Sequence, residues 1–121
     1  MIFLETYDKI RLGDFMYTII NDKKIEIITL KSFFKRAKGL MFQKDKITNI
    51  YLFPKCSSIH TFFMKQKIDL CFLDKDYKIL ETISNLNKNK IIIKRGYFVL
   101  EMPLNTACYL KKGDIFPIYD K

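Results

Sequence analysis

Hydrophobic residues occur in short blocks along this chain, and polar turns separate the blocks. Many of the blocks are rich in β-branched and aromatic residues, which favours strands over helices. Two polar turns, Asn21–Lys24 and Asp74–Tyr77, would join neighbouring strands as hairpins. The predicted strands are 15–20, 25–30, 47–53, 59–64, 68–73, 78–83, 91–94, 96–101 and 115–119. This pattern predicts a mainly β domain, a compact β-sandwich or barrel of about eight to nine short strands.

Helical signals are few. Ser32 is a suitable N-cap and Gly39 a suitable stop, so one short helix is predicted over 32–39. Residues 106–110 fit either a short helix or a strand, and 84–90 are polar and loop-like. The fold therefore has one or two short helices, and no predicted helix is long enough for a crossover between parallel strands.

The size and composition of the chain fit one soluble domain over residues 1–121. Of its 121 residues 49% are hydrophobic, which is enough for a packed core. The apolar stretch near the N-terminus is too short and too acidic for a secretory signal. Because no apolar run approaches the ~20 residues of a membrane span, we expect a cytoplasmic protein.

The formal net charge is +9, which is compatible with nucleic acid or an anionic membrane as a partner. The excess consists of 19 Lys and only 3 Arg, and Arg is the usual bidentate ligand of phosphate and guanine. The charge is also spread evenly: residues 1–60 hold 11 basic and 6 acidic groups, and residues 61–121 hold 11 and 7. These two features disfavour nucleic acid and leave a small molecule or a protein as the partner, with the oligomeric state open.

Nothing in the sequence predicts a metal or a cofactor. The three cysteines, Cys56, Cys71 and Cys108, show no CxxC spacing, and three reduced thiols are the simplest state. A disulfide that leaves one free thiol, such as a Cys56–Cys108 bond, stays open. The single histidine, His60, excludes a site with several histidines in one chain.

Three polar residues lie inside predicted core strands: His60, Thr61 and Asp69. If 59–64 and 68–73 pair as antiparallel strands, Asp69 could approach His60 or Thr61 across the ladder. His60 would either tie a loop to a strand or act as a ligand donor or general base. Asp69 would either accept hydrogen bonds from backbone amides or pair with an arginine, because buried carboxylates need partners.

Arg36 and Glu101 complete the candidate ligand-binding set with those three residues. Arg36 is either a solvated helical cation or a clamp for Asp69, for Glu101 or for a ligand anion. A thiol at Cys56 beside His60 would be a possible nucleophile, although a spacing of four residues is weak support. Asp114 follows Gly113 in a turn, where its side chain would bind nearby amides.

Several motifs of the chain together resemble the domain-of-unknown-function 192 family, DUF192. They are RAKGLMF at 36–42, CSSIHTFFM at 56–64, IDLCFLD at 68–74, VLEMP at 99–103 and GD at 113–114. The resemblance spans about residues 25–120 and implies a small, mainly β domain. The characteristic polar and glycine positions that it implies are Arg36, Gly39, His60, Thr61, Asp69, Glu101, Gly113 and Asp114.

The chain departs from this family at three positions. Asn49 and Asn105 stand where relatives usually have Gly, and Lys67 replaces a common Pro. Asn tolerates positive φ better than most residues, so Asn49 and Asn105 are expected to keep left-handed turns. Lys67 is expected to loosen the turn before Ile68.

The resemblance implies no reaction, and three functions stay open. The first is a ligand-binding or accessory domain with a polar site around His60, Asp69 and Arg36. The second gives the polar residues a purely structural role. The third is an enzyme that uses His60 as a general base.

Overall fold

The fold of the chain is mainly β. The computed structural model describes residues 16–29, 46–54, 58–60, 67–86, 91–93 and 96–120. In these ranges the strands are β1 Met16–Ile20, β2 Lys23–Thr29, β3 Ile50–Pro54, β4 Ser58–His60, β5 Ile68–Leu73, β6 Ile79–Leu86, β7 Ile91–Ile93, β8 Phe98–Met102 and β9 Tyr119–Asp120. A single 3-10 turn at Ala107–Tyr109 is the helical element of these residues.

Seven of the strands form one mixed sheet with the order β6-β5-β8-β3-β2-β1-β9, and β4 pairs with β7 in a separate two-stranded ladder. The mainly β class is confirmed, and the described residues contain nine strands, but these strands form neither a closed barrel nor a sandwich of two comparable sheets. The seven-stranded sheet is open because its two edge strands, β6 and β9, do not pair with each other.

The C-terminal segment links the two edges of the open sheet. Ile79 donates its N–H to the carbonyl of Asp114, and Gly113 donates to the carbonyl of Ile79, each at 2.8 Å. Farther along, Tyr119 pairs with Tyr17 as β9 joins β1. The segment from 113 to 120 therefore begins beside the edge strand β6 and ends as the other edge strand, β9, which pairs with β1.

One strand pair is parallel and therefore requires a crossover, although no predicted helix is long enough to provide one. Strand β2 runs parallel to β3, with Ile27 opposite Ile50. Parallel strands need a connection of about a dozen residues or more, and the chain between Thr29 and Ile50 is long enough. The predicted helix at 32–39, including Gly39, lies outside the described residues.

The central strands bury side chains on both faces of the sheet, and all six residues of β5 are buried. Side chains alternate between the two faces along each strand, so neighbouring residues join different clusters. The first cluster contains Ile20, Ile27, Ile50, Leu52, Cys71, Leu73, Ile79, Leu100, Met102, Ala107 and Phe116. The second cluster contains Ile47, Phe53, Ile68, Leu70, Phe72, Leu86 and Val99.

Both predicted hairpin turns are confirmed. Asn21 and Asp22 connect β1 to β2 with φ values of 52° and 63°, the left-handed geometry of a two-residue type I′ turn. In the second turn Asp74 Oδ1 accepts the N–H groups of Asp76 at 2.8 Å and Lys78 at 3.0 Å. This side chain stabilises the turn before β6 in the way expected of Asp.

Some predicted strand boundaries are wrong, at positions where the local sequence does not determine where a strand ends. Strand β6 continues to Leu86, although Ser84 and Asn85 read as loop residues. The predicted strand at 115–119 is reduced to β9 and one isolated bridge between Lys78 and Ile115. The ambiguous stretch 106–110 contains the 3-10 turn.

Candidate functional site

Asp69 is a buried carboxylate that accepts three backbone hydrogen bonds, and only 1% of its surface is exposed. Its Oδ1 accepts the N–H of Asn85 at 2.8 Å. Its Oδ2 accepts the N–H groups of Thr106 and Ala107, both at 2.9 Å. One of the two predicted roles, a carboxylate bound to backbone amides, is therefore what the structure shows.

The local fold explains why Asp69 reaches these amides. The β5–β6 ladder shifts register between Ile68 and Leu70, and the backbone of Asn85 adopts a φ of 55° at that irregularity. A bulge of this kind redirects the backbone groups of the bulged strand. The N–H of Asn85 consequently meets the carboxylate instead of a partner strand.

The same carboxylate holds the loop that follows β8. Thr106 and Ala107 begin the 3-10 turn, and their N–H groups have no partner within such a turn. Asn105, one residue earlier, has a φ of 70°, so the predicted left-handed geometry is confirmed there. Asp69 and Asn105 together fix the course of this loop at the end of the sheet.

The loop forms one wall of a groove of about 690 Å³. The other walls come from the start of β2 and from the residues before β3, at the same end of the sheet. The described lining residues are Ile20, Asn21, Lys23, Lys24, Ile25, Lys46, Ile47, Thr48, Pro103, Leu104, Asn105, Thr106 and Tyr109. A volume of this size lies within the range of small-molecule sites.

The groove is cationic. Lys23, Lys24 and Lys46 line it, and no Asp or Glu occurs among its described lining residues. The ammonium group of Lys24 also lies 4.6 Å from the centroid of the Tyr17 ring, a cation–π contact. The other lining residues are either apolar or polar without charge. Together with the lysines, this lining suits an anion that carries an apolar part.

The sequence reasoning missed these lysines. Lys23 and Lys24 were assigned to a polar turn, and Lys46 lies just before a predicted strand. No local signal marks them, because acidic residues flank both segments: Asp22 precedes Lys23, Glu26 follows Ile25, and Asp45 precedes Lys46. These three also do not stand out among 19 lysines that are spread along the chain.

Glu101 lies on the other face of the sheet from Asp69. It is 4% exposed, and it stands opposite Leu70 and Tyr51 in the neighbouring strands. Leu70 belongs to the second cluster, whereas the bonds of Asp69 lead to Ala107 of the first cluster. One concave site therefore cannot contain both carboxylates, which corrects the expectation that they share a site.

Tyr51 is the titratable neighbour of Glu101. Burial raises the pKa of the Tyr51 hydroxyl, a side-chain hydrogen bond with Asn49 lowers it, and the negative charge of Glu101 raises it. Asn49 is not among the residues with positive φ, so its predicted left-handed turn is wrong. Its side chain is used for the contact with Tyr51 instead.

The predicted pairing of the strand that contains His60 with the strand that contains Asp69 is wrong. His60 is in β4, which pairs with β7 with Ile91 opposite His60. Strand β5, which carries Asp69, pairs with β6 and β8. Whether the imidazole approaches the carboxylate by another route stays a prediction, and Arg36 and Thr61 lie outside the described residues.

The remaining turn positions are Gly113 and Asp114. Gly113 has a φ of 97°, in the left-handed region that favours glycine. Asp114 donates its N–H to the carbonyl of Lys111 at 3.1 Å, and its own carbonyl accepts from Ile79. The turn contacts of Asp114 shown here are thus made by its backbone, whereas the prediction gave them to its side chain.

Two of the three cysteines fall in the described part of the chain, and both are free thiols. Cys71 is buried in the first cluster, and burial raises its pKa to about 12. Cys108 is exposed, and its Sγ lies 3.6 Å from the carbonyl oxygen of Asn105. Cys56 and its predicted redox state lie outside the described residues.

An open mixed sheet of short strands with a cationic groove at one end defines a small, mainly β protein. The chain belongs to the DUF192 family, described as "Uncharacterized ACR, COG1430", whose model matches residues 16–116. This match confirms the resemblance that the motifs indicated. Among the described residues, no helix is long and apolar enough to cross a membrane.

Curated relatives of the chain are named as UPF0127 proteins. The chain is 33% identical over 96 residues to the UPF0127 protein PH1112 of Pyrococcus horikoshii, covering 70% of this chain and 83% of that protein. It is 32% identical over 62 residues to the UPF0127 protein PF1050 of Pyrococcus furiosus, covering 48% and 53%.

Similarity to solved structures supports the fold alone. A crystal structure of a protein of unknown function from Novosphingobium aromaticivorans matches with a TM-score of 0.69 at 17% identity, covering 86% of this chain and 82% of that chain. A crystal structure from Sinorhizobium meliloti 1021 also matches with a TM-score of 0.69, at 16% identity, covering 87% and 91%.

Proposed function

We propose that this protein is a binding domain for an organic anion, and that the groove at the end of the sheet is its site. The observation that carries the proposal is the lining of the groove by Lys23, Lys24 and Lys46 with no acidic residue among its described lining residues. Isoleucines, Pro103 and Leu104 provide apolar surface beside these cations. An anion with an apolar part would satisfy both kinds of lining.

Asp69 supports this proposal as a positioning residue. Its carboxylate accepts a hydrogen bond from the backbone N–H of Thr106, and Thr106 lines the groove. Asp69 already accepts three amide hydrogen bonds, two from the loop and one from β6, so its charge is directed toward these amides. A ligand anion would therefore meet the lysines, and the carboxylate would hold the loop that faces them.

The test compares naphthalene sulfonate with neutral naphthalene sulfonamide by isothermal titration calorimetry. The sulfonate should bind, and the sulfonamide should bind more weakly because it lacks the charge. Each exposed lysine that contacts the anion contributes about 0.5–1 kcal/mol. Lys23→Gln and Lys46→Gln should each raise the Kd of the sulfonate about two- to fivefold.

Lys75→Gln is the matched control. Lys75 is an exposed lysine in the β5–β6 turn, at the opposite end of β5 from Asp69, and it does not line the groove. The same loss of one charge at Lys75 should leave the Kd unchanged within twofold. Equal binding of both probes, or equal effects of Lys46→Gln and Lys75→Gln, would contradict the proposed site.

A further inference from the structure

A second, smaller concavity adjoins the groove. This hollow of about 180 Å³ is lined by Ile19, Ile20, Asn21, Ile79, Tyr109, Leu110, Lys111, Asp114, Ile115 and Pro117. It shares Ile20, Asn21 and Tyr109 with the groove. Because it is smaller than a typical small-molecule site, it fits a single large side chain better than a whole ligand.

Three of the five large hydrophobic residues that are exposed in the described part of the chain line the hollow. Large exposed hydrophobic side chains there include Ile19 at 46%, Tyr109 at 55% and Ile115 at 59%. The described chain has two others, Leu104 and Tyr119. Exposed apolar side chains that gather at one point mark interaction surfaces, whereas single scattered ones do not.

The β1–β2 hairpin joins the hollow to the groove. Ile19 of the hollow stands opposite Lys24, and Ile20 stands opposite Lys23, so the two pairs project from opposite faces of the hairpin. The hollow and the groove meet at the end of the hairpin through their shared residues Ile20, Asn21 and Tyr109. The two concavities can therefore be occupied by one extended chain.

We propose that the groove and the hollow together bind an acidic, extended segment of a partner protein. One large apolar side chain of that segment fills the hollow, and its flanking carboxylates lie against Lys23, Lys24 and Lys46 of the groove. This inference rests on the proposed function and names its ligand class. It goes beyond it because a small organic anion would not need the hollow.

Charge complementarity selects an acidic partner over a second copy of this chain. The chain has a formal net charge of +9, so two copies would repel each other at a face that already carries three lysines. A segment rich in Asp and Glu would instead be attracted, and rim charges of this kind accelerate association.

The lining of the hollow favours a peptide over a nucleic acid. Single-stranded nucleic acids bind through aromatic faces that stack on successive bases. Besides Tyr109, the apolar side chains of the hollow are aliphatic, such as Ile19 and Ile115, and offer no such face.

The experiment selects a random peptide display library on the immobilised full chain. The selected peptides should contain one large apolar residue flanked by Asp or Glu. A synthetic consensus peptide, labelled with a fluorophore, is then titrated by anisotropy. Two variants of this peptide complete the set: one has Ser in place of the apolar residue, and one has Gln and Asn in place of the acidic residues. Each should bind about tenfold more weakly.

Ile115→Ser and Ile19→Ser should each raise the Kd of the consensus peptide about tenfold and leave the Kd of naphthalene sulfonate unchanged within twofold. Both side chains are largely exposed, and the melting temperature checks that each variant folds. Tyr119→Ser is the control, because Tyr119 is 44% exposed and lines neither concavity. It should leave peptide binding unchanged.

The outcomes separate the two proposals. Selection of no consensus, or a peptide that is insensitive to Ile115→Ser while the sulfonate still binds, overturns the peptide inference and leaves the anion site standing. Failure of both probes overturns both. An oligonucleotide that binds more tightly than the consensus peptide and loses its affinity in Ile115→Ser also overturns the inference, in favour of nucleic acid.

Discussion

Asp69 connects three parts of the chain that are distant in sequence: β5, the end of β6 and the loop after β8. Its carboxylate is buried and accepts three N–H groups, two of them from the start of the 3-10 turn. A buried donor that loses its acceptor costs about 1–3 kcal/mol. Asp69 thus contributes more to the stability of the fold than its position in a hydrophobic strand indicates.

Asp69→Ala should lower the free energy of unfolding by about 3–5 kcal/mol, because two buried amides and one part-buried amide lose their acceptor. Urea denaturation followed by circular dichroism measures the change. Asp76→Ala is the control: Asp76 is exposed, and its side chain makes no hydrogen bond within the described part of the chain. It should change stability by less than about 0.5 kcal/mol. Equal effects of the two substitutions would refute the role given to Asp69.

The buried thiol of Cys71 should make stability fall in alkali. Its pKa is raised from 9.0 to about 12 in the folded protein, so the folded state holds the proton more tightly than the unfolded state. The stabilisation is complete below pH 9 and is lost as pH rises through the folded pKa, at about 1.4 kcal/mol per pH unit.

Other groups also titrate in that range, so the readout is a difference between proteins. The stability of wild type relative to Cys71→Ala should decrease steadily from pH 9 to pH 11. A difference that stays constant with pH would show that the Cys71 pKa is not raised. A thiol reagent provides a second check: the exposed Cys108 should react rapidly at pH 8, and Cys71 should react only on unfolding.

At the scale of elements, the hairpins were the easiest part of the fold to predict. Asn21 and Asp22 favour left-handed backbone, and the strands beside them are β-branched, so turn and strands agree locally. Strand β6 was harder, because Ser84 and Asn85 read as loop residues. The N–H of Asn85 donates a hydrogen bond to the carboxylate of Asp69, 16 residues away in sequence, and this contact holds the two residues in the strand.

The β1–β2 turn offers a direct test at this scale. Asp22 occupies the second central position of a type I′ turn at a φ of 63°, where Gly is preferred. Relief of the left-handed backbone is worth about 1–2 kcal/mol and exceeds the entropy cost of a glycine, about 0.4–1 kcal/mol. Asp22→Gly should therefore stabilise the protein by about 0.5–1 kcal/mol, which thermal unfolding would detect as a higher melting temperature. Asp76→Gly, in a turn position without positive φ, should be neutral or destabilising. A lower melting temperature for Asp22→Gly would contradict the turn geometry.

At the scale of the whole molecule, the sequence predicted a mainly β protein but could not predict its site. The groove joins residues 20–25, 46–48 and 103–109, and only the order of strands in the sheet brings these segments together. Candidate residues chosen for being polar in apolar strands, such as Asp69 and Glu101, are instead placed on opposite faces. Local patterns predict elements, whereas a concave site depends on long-range pairing.

The parallel pairing of β2 with β3 is the decisive long-range feature. It places Lys23 and Lys24 beside the chain that leads into β3, where Lys46 lies. The cationic groove is therefore a property of the topology and not of any one segment.

The most direct measurement is an amide NMR titration of the full chain with naphthalene sulfonate. The account predicts that the largest chemical-shift changes occur at residues 20–25, 46–48 and 104–109, and that Lys46→Gln reduces them while Lys75→Gln does not. Changes confined to the β5–β6 turn at 74–78, or no saturable change at all, would contradict an anion site at this end of the sheet.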